Sequence, residues 1–232
     1  MSEPLRIALV AEGPTDYELI HAALLAVLPQ PFHMTLLHPE VTRPRFGGGW
    51  GGVLKWCHDT SLRHTGPLSQ DPTLSLFDLI ILHVDADVAT SAYTDYGSDL
   101  AALAQGSGWR ALPCAQPCPP AADTCAALAQ VLSGWLGSVV ADARTVFCIP
   151  AQSTGAWLAC AVLPPESPWL QGAECRLELE NQLAILPKGQ RIRKNPSDYR
   201  KHAVKLTSNW AAVKNICLQA AVFELAVISA VS

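Results

Sequence analysis

Phe77-Asp78-Leu79-Ile80-Ile81-Leu82-His83-Val84-Asp85-Ala86-Asp87 decides the reading of this chain. Its apolar, partly β-branched centre predicts a buried strand, and two carboxylates follow at the C-terminal end. A run of the same kind, Arg6-Ile-Ala-Leu-Val-Ala11, leads into Glu12-Gly13-Pro14-Thr15-Asp16. His33–Val41 and Thr145–Pro150 predict two further strands. Between them, Tyr17–Leu28 has helical spacing, with Leu19, Ile20, Ala23, Leu24 and Val27 on one face. Thr15 and Glu18 fit a capping box at its start. Helices are also expected near Val53–Leu62, Ser98–Gln105, Asp123–Leu136 and Ala156–Val162, and as one long closing helix over Trp210–Val231. From Pro164 to Pro196 the pattern is irregular and turn-rich.

Strands alternating with helices at these lengths predict an α/β fold, a mostly parallel sheet flanked by helices, with a C-terminal basic and helical extension. Residues 1–163 are expected to carry the site. Residues 164–232 are expected to supply a basic segment and a helix packing on the same domain. Right-handed crossovers gather the strand C-termini at one edge, where open α/β sheets bind ligands. Both acidic clusters sit where strands end.

Composition narrows the class. The 232 residues are 50% hydrophobic and only 16% charged, which excludes a disordered chain. No run reaches the roughly 18 apolar residues that span a bilayer. The closing helix comes nearest, but carries Lys214, Asn215, Gln219 and Glu224. The start, MSEPLRIALVAEG, lacks a basic n-region, so no signal peptide and a cytoplasmic location are expected. The eight cysteines form no CxxC pair, and reduced thiols are the simpler expectation. Cys114, Cys118 and Cys125 crowd a proline-rich loop without a common zinc spacing. Cys148, Cys160 and Cys217 lie in apolar runs and read as small buried hydrophobes.

Carboxylates converging at strand ends repel one another and raise their own pKa values. A divalent cation relieves that, and oxygen-only ligands suit Mg²⁺, with Mn²⁺ as a substitute. Glu12, Asp16, Asp85 and Asp87 are the candidate metal ligands. In an extended backbone Asp85 and Asp87 point to the same side. The alternative for each acid alone is a turn former or a helix cap, with Asp16 complementing a helix dipole. His83 reads as a hydrogen-bonded core histidine.

The ordered pair Ala8-Leu-Val-Ala-Glu12-Gly13-Pro14-Thr15-Asp16 and Ile81-Leu-His-Val-Asp85-Ala86-Asp87 resembles the TOPRIM domain, over about residues 5–162. That family joins EG-x-[ST]-[DE] after its first strand to DxD after its third. Ile149-Pro150 and Ala156-Trp157-Leu158 are similar to TOPRIM-like proteins grouped with the overcoming-lysogenisation-defect nucleases. There an acid often precedes the Ala-Trp pair, where this chain has Gly155. Either a second metal ligand is missing or another acid replaces it, Glu166 and Glu174 being nearest. The resemblance implies Mg²⁺-dependent phosphodiester hydrolysis of DNA or RNA, with a role in phage defence. It makes Glu12 the acid/base and metal-proximal carboxylate, and Asp85 and Asp87 catalytic Mg²⁺ ligands. It leaves room for a partner protein such as an ATPase, for a homo-oligomer, and for a non-catalytic sensor or subunit of a larger complex. The chain is too short for the extra modules of topoisomerases and primases.

A net charge of −4 conceals a division. Residues 188–205 hold seven bases (Lys188, Arg191, Arg193, Lys194, Arg200, Lys201, Lys205) and one acid, a net +6. The remaining 214 residues hold nine bases and nineteen acids, a net −10. The basic segment is the candidate nucleic-acid surface, reading phosphates without sequence preference. Its alternative is a solvated face. Lys188 or Arg191 is the candidate for stabilising transition-state charge. The glycine run Gly47–Gly52 lacks a P-loop ending, so a mobile surface loop is expected over an amide cradle. Trp50 and Trp56 could stack on a base or pack on the core.

Overall fold

The computed structural model describes residues 3–40 and 46–232. The chain runs β1 (Leu5–Val10), α1 (Pro14–Val27), β2 (Phe32–His38), α2 (Trp50–Arg63), β3 (Gly66–Pro67), β4 (Leu79–His83), α3 (Ser98–Gly106), α4 (Ala121–Trp135), β5 (Val139–Val140), β6 (Thr145–Cys148), α5 (Thr154–Val162), α6 (Leu179–Ile185), α7 (Pro196–Ser208), α8 (Trp210–Ile216) and α9 (Leu218–Val231). The predicted second strand closes at His38, and Val41 lies outside the described residues.

The main sheet has order β2-β1-β4-β6 and is parallel throughout. The central strands β1 and β4 are buried on both faces over most of their length, which is why they read as nearly continuous apolar runs, whereas the edge strands β2 and β6 are only partly covered. Side-chain alternation divides the strands. Ile7, Leu9, Leu79, Ile81, Val146 and Cys148 face one helical layer. Ala8, Val10, Ile80, Leu82 and Val84 face the other. The first layer is built on α1, α5 and the C-terminal helices, and the second on α2 and α4 with their neighbours.

The C-terminal helices are part of that first layer. Tyr199, Leu206, Trp210, Val213, Phe223 and Val227 are buried in the same core as Ile7, Leu9 and Trp157. The predicted long closing helix is two helices, because the backbone leaves helical geometry at Cys217. Nor is the stretch before it wholly irregular, since α6 lies inside it.

The chain steps from β1 outward to β2, then crosses back to β4 on the other side of β1. The switch point therefore falls between the C-terminal ends of β1 and β4, the usual place for a ligand crevice in an open sheet. Glu12 follows one of those ends and Asp85 the other.

Candidate metal centre

Four elements position the site. α1 begins two residues earlier than a Thr15 cap requires. Gly13 is its N-cap and Pro14 occupies the first turn, where its fixed φ suits the helix and its missing N–H costs nothing. Glu18 is thereby freed from capping, and pairs with Arg200 of α7 at 2.6 Å. Asp16 falls in the first turn of α1, which favours its charge. Its Oδ1 accepts the Thr154 hydroxyl at 2.7 Å. Thr154 opens α5, and its backbone N–H donates to Asp85 Oδ1 at 3.0 Å. His83, the last residue of β4, meets the same Asp85 oxygen through Nε2 at 3.1 Å. Glu12 Oε1 accepts the backbone N–H of Asp85 at 2.8 Å.

Asp16, His83 and Asp85 form the one group of metal-capable side chains found among the described residues, their ligand atoms lying within 4.8 Å of one another. All three are buried. The donor set fits a divalent cation, because two clustered carboxylates carry more negative charge than their one imidazole offsets. The set is not the oxygen-only one expected. Glu12 is turned to the Asp85 backbone. The segment after Asp85 is not extended but forms a short 3₁₀ turn, Ala86–Thr90, so Asp87 is carried to the exposed rim.

Electrostatics follow from this crowding. Burial, then the Asp85 charge, raises Glu12 well above the usual carboxylate range, with His83 pulling the other way. Burial pushes Asp16 up to about 6 despite the opposing charge of His83. Enclosure by the surrounding protein, and then Asp85, raise Asp87 to about 6. Burial opposes charging of His83, but Asp16, the bond to Asp85 and Glu12 together outweigh it and lift the imidazole to about 9. His83 is thus a core histidine that also supplies a positive charge to the cluster.

A further acid arrives from a place the sequence did not signal. Glu180 of α6 covers Gly155, so that a Cβ at position 155 would run into its carboxylate. Neither Glu166 nor Glu174 takes that place; Glu174 Oε1 instead accepts the Gln219 N–H at 2.8 Å. Glu180 accepts from the Tyr199 hydroxyl and from Lys194 Nζ, the latter at 3.0 Å. Burial works against the Lys194 charge, but Glu180, with Asp85 and Asp16 beyond it, holds the ammonium well above its ordinary pKa. No local motif marks Glu180. Its one sequence signal was the gap at Gly155.

The basic residues separate into groups. Lys194 pairs with Glu180 beside the site. Lys188, expected to act at the reaction centre, instead lines a cavity of about 380 Å³ with Arg191, Arg193, Asn195 and Asp198. Arg200 is held by Glu18. Lys201 and Lys205 are exposed on α7. No family model, curated protein or solved structure matches this chain.

The remaining expectations resolve simply. Trp50 and Trp56 are buried, and Trp50 packs against Tyr93, Tyr96 and Trp135. The glycine loop is docked rather than loose, since Gly49 N–H donates to the Glu12 carbonyl at 2.8 Å. Cys148, Cys160 and Cys217 are buried. The expectation of wholly reduced thiols is corrected, because the fold brings Cys118 and Cys175 together as a disulfide. That bond also removes Cys118 from any zinc set with Cys114 and Cys125. Among the described residues no helix is long and apolar enough to cross a membrane.

Proposed function

We propose that this protein is a metal-dependent phosphodiesterase of the nuclease type, acting on DNA or RNA. The convergence of Glu12, Asp16 and Asp85 at the switch point between β1 and β4 carries this reading. Asp16 and Asp85 would hold Mg²⁺ or Mn²⁺, joined by His83 only once its imidazolium gives up a proton; the metal when bound would polarise a phosphoryl oxygen and lower the pKa of water. Glu12, whose carboxyl is raised well above the usual carboxylate range by burial and by the Asp85 charge, is suited to proton transfer. Lys194 offers a fixed positive charge to a phosphate at the rim. The cationic cavity of Lys188, Arg191 and Arg193 would hold a neighbouring phosphate without reading sequence. A part in phage defence, alone or with a partner protein, belongs to the same proposal and rests on the TOPRIM resemblance.

Nicking of supercoiled plasmid and cleavage of structured RNA, each with Mg²⁺, Mn²⁺ or EDTA, test the reading. Cleavage should require metal and fall by at least about 100-fold in Asp85→Asn and Glu12→Gln, the scale of losing a principal electrostatic contact. Full metal-dependent activity in both variants overturns it.

One observation favours a second reading, a non-catalytic sensor or subunit. His83 and Lys194 already bring two positive charges to these carboxylates, as a site that never holds a metal would. Calorimetric titration showing no Mn²⁺ binding, with no cleavage of either substrate, supports that alternative.

A further inference from the structure

We propose that the Cys118–Cys175 disulfide is a thiol-operated clamp holding the segment with Glu180 and Lys194 against the acidic site; this rests on the reading of that site as a metal centre. Glu180, which covers Gly155, and its partners Lys194 and Tyr199 all lie between Cys175 and Cys217. Each of those cysteines meets a cysteine from the earlier part of the chain. Cys175 is bonded to Cys118, just before α4. Cys217 Sγ lies 3.4 Å from Cys160 Sγ of α5. The segment is therefore fastened at one end to the loop before α4 and at the other to α5, which carries Thr154.

The two fastenings differ in access. Cys160 and Cys217 are 5% and 1% exposed, packed in the core. Cys118 is exposed and Cys175 only partly covered. A small thiol reaches the bond at the Cys175 end, and accessible disulfides are the labile ones.

The Cys175 end also connects by a short path to Asp87, at the rim of the site. The Glu174 carbonyl accepts Gln152 Nε2 at 3.2 Å. The Gln152 carbonyl accepts the Asp87 N–H at 3.1 Å. Gln152 is the one non-glycine residue with positive φ among the described residues, at 65°. Such a backbone persists only where neighbours fix it. Between Cys175 and α7 few side chains anchor the segment, chiefly Leu179, Leu183 and Ile192. Releasing Cys175 therefore leaves Glu180, Gln152 and Asp87 less constrained.

The chemistry balances with a cellular dithiol as reductant. Its thiolate attacks one sulfur of the bond, the partner cysteine leaves as a thiolate and takes up a proton, and a mixed disulfide forms. The second thiol of the reductant resolves that intermediate. The products are two protein thiols and one disulfide of the reductant, with two electrons transferred. A low-molecular-weight disulfide drives the reverse.

The full chain, oxidised and then reduced with dithiothreitol, provides the test, with thiol state verified by mass spectrometry. Two quantities are read: amide hydrogen exchange across residues 173–195, and Mn²⁺ binding by electron paramagnetic resonance. Reduction should speed exchange in that segment while β1 and β4 stay protected, and weaken Mn²⁺ binding by about tenfold, the scale of losing outer support at a metal site. The double variant Cys118→Ser/Cys175→Ser should match the reduced protein and ignore dithiothreitol. Unchanged exchange on verified reduction overturns the clamp, as does a double variant that still responds. The reduced wild-type chain supplies the comparison even if the variant folds poorly. Should neither form bind Mn²⁺, the metal-centre reading fails separately, and exchange alone decides whether the clamp exists.

Discussion

The Thr154 hydroxyl donates to Asp16 Oδ1 at 2.7 Å, joining residues 138 positions apart in the chain. With its backbone N–H on Asp85 Oδ1, the same residue holds both metal-capable carboxylates at the start of α5. Thr154→Val keeps the shape and removes one donor. The buried Asp16 carboxylate then loses a hydrogen bond, at a cost of about 1–3 kcal/mol. Urea denaturation should register that loss, and Mn²⁺ affinity should fall with it. An unchanged midpoint would show that Asp16 finds another partner.

Removing the Asp16 charge should have the opposite effect on the metal-free fold. Asp16→Asn relieves repulsion among buried carboxylates, and in EDTA it should melt at a temperature no lower than wild type. Asp85→Asn also strips His83 of its buried ion-pair partner and should melt lower. Mn²⁺ should raise the melting temperature of wild type but of neither variant, by the usual linkage of ligand binding to stability. A variant that keeps the full Mn²⁺ shift removes that residue from the ligand set.

The pH dependence has a defined sign. Asp16, raised to about 6 in the folded state, binds protons there more readily than in the unfolded chain. Acidification from pH 7 toward pH 4 therefore stabilises the metal-free protein through this group. His83, raised to about 9, contributes stability that is complete below about 6.5 and lost as pH rises through 9. Both trends make the EDTA-treated protein more stable at pH 6 than at pH 9. The Mn²⁺-induced shift should run the other way and shrink below pH 6, as protons compete for Asp16. Differential scanning fluorimetry across that range checks both slopes. A metal-free melting temperature that rises with pH contradicts the charge assignment.

Gly155→Ala probes the replaced acid. The added methyl occupies the space of the Glu180 carboxylate, which Tyr199 and Lys194 hold in place. Overpacking of this kind costs about 1–3 kcal/mol. Glu180→Ala in the same chain should recover most of it, so a double-mutant cycle should give a large coupling energy. Additive effects would show that Glu180 moves aside freely.

Much of the fold was written in the sequence, because the central strands of a parallel sheet bury both faces and so declare themselves as apolar runs. β1 and β4 were legible for that reason, as were the acids at their ends. The helix start at Pro14 was misread. A Thr15–Glu18 spacing satisfies a local rule, but a proline at the first turn and a distant arginine took those residues instead. The extended geometry expected of Asp85-Ala86-Asp87 failed similarly, since a 3₁₀ turn follows Asp85.

The sequence by itself determined the alternation of strands and helices, the acidic residues at two strand ends, and the basic character of residues 188–205. These are local properties, set by periodicity and residue type. Only the tertiary structure decided that His83 joins Asp16 and Asp85, that Glu180 fills the space at Gly155, that Lys194 rather than Lys188 pairs with Glu180, and that Cys118 bonds Cys175. Each of these contacts joins elements that are brought together by packing on a common sheet. Their spacing in the chain carries no trace of it, because the distance between two packed side chains is fixed by the layers beneath them and not by the residues between.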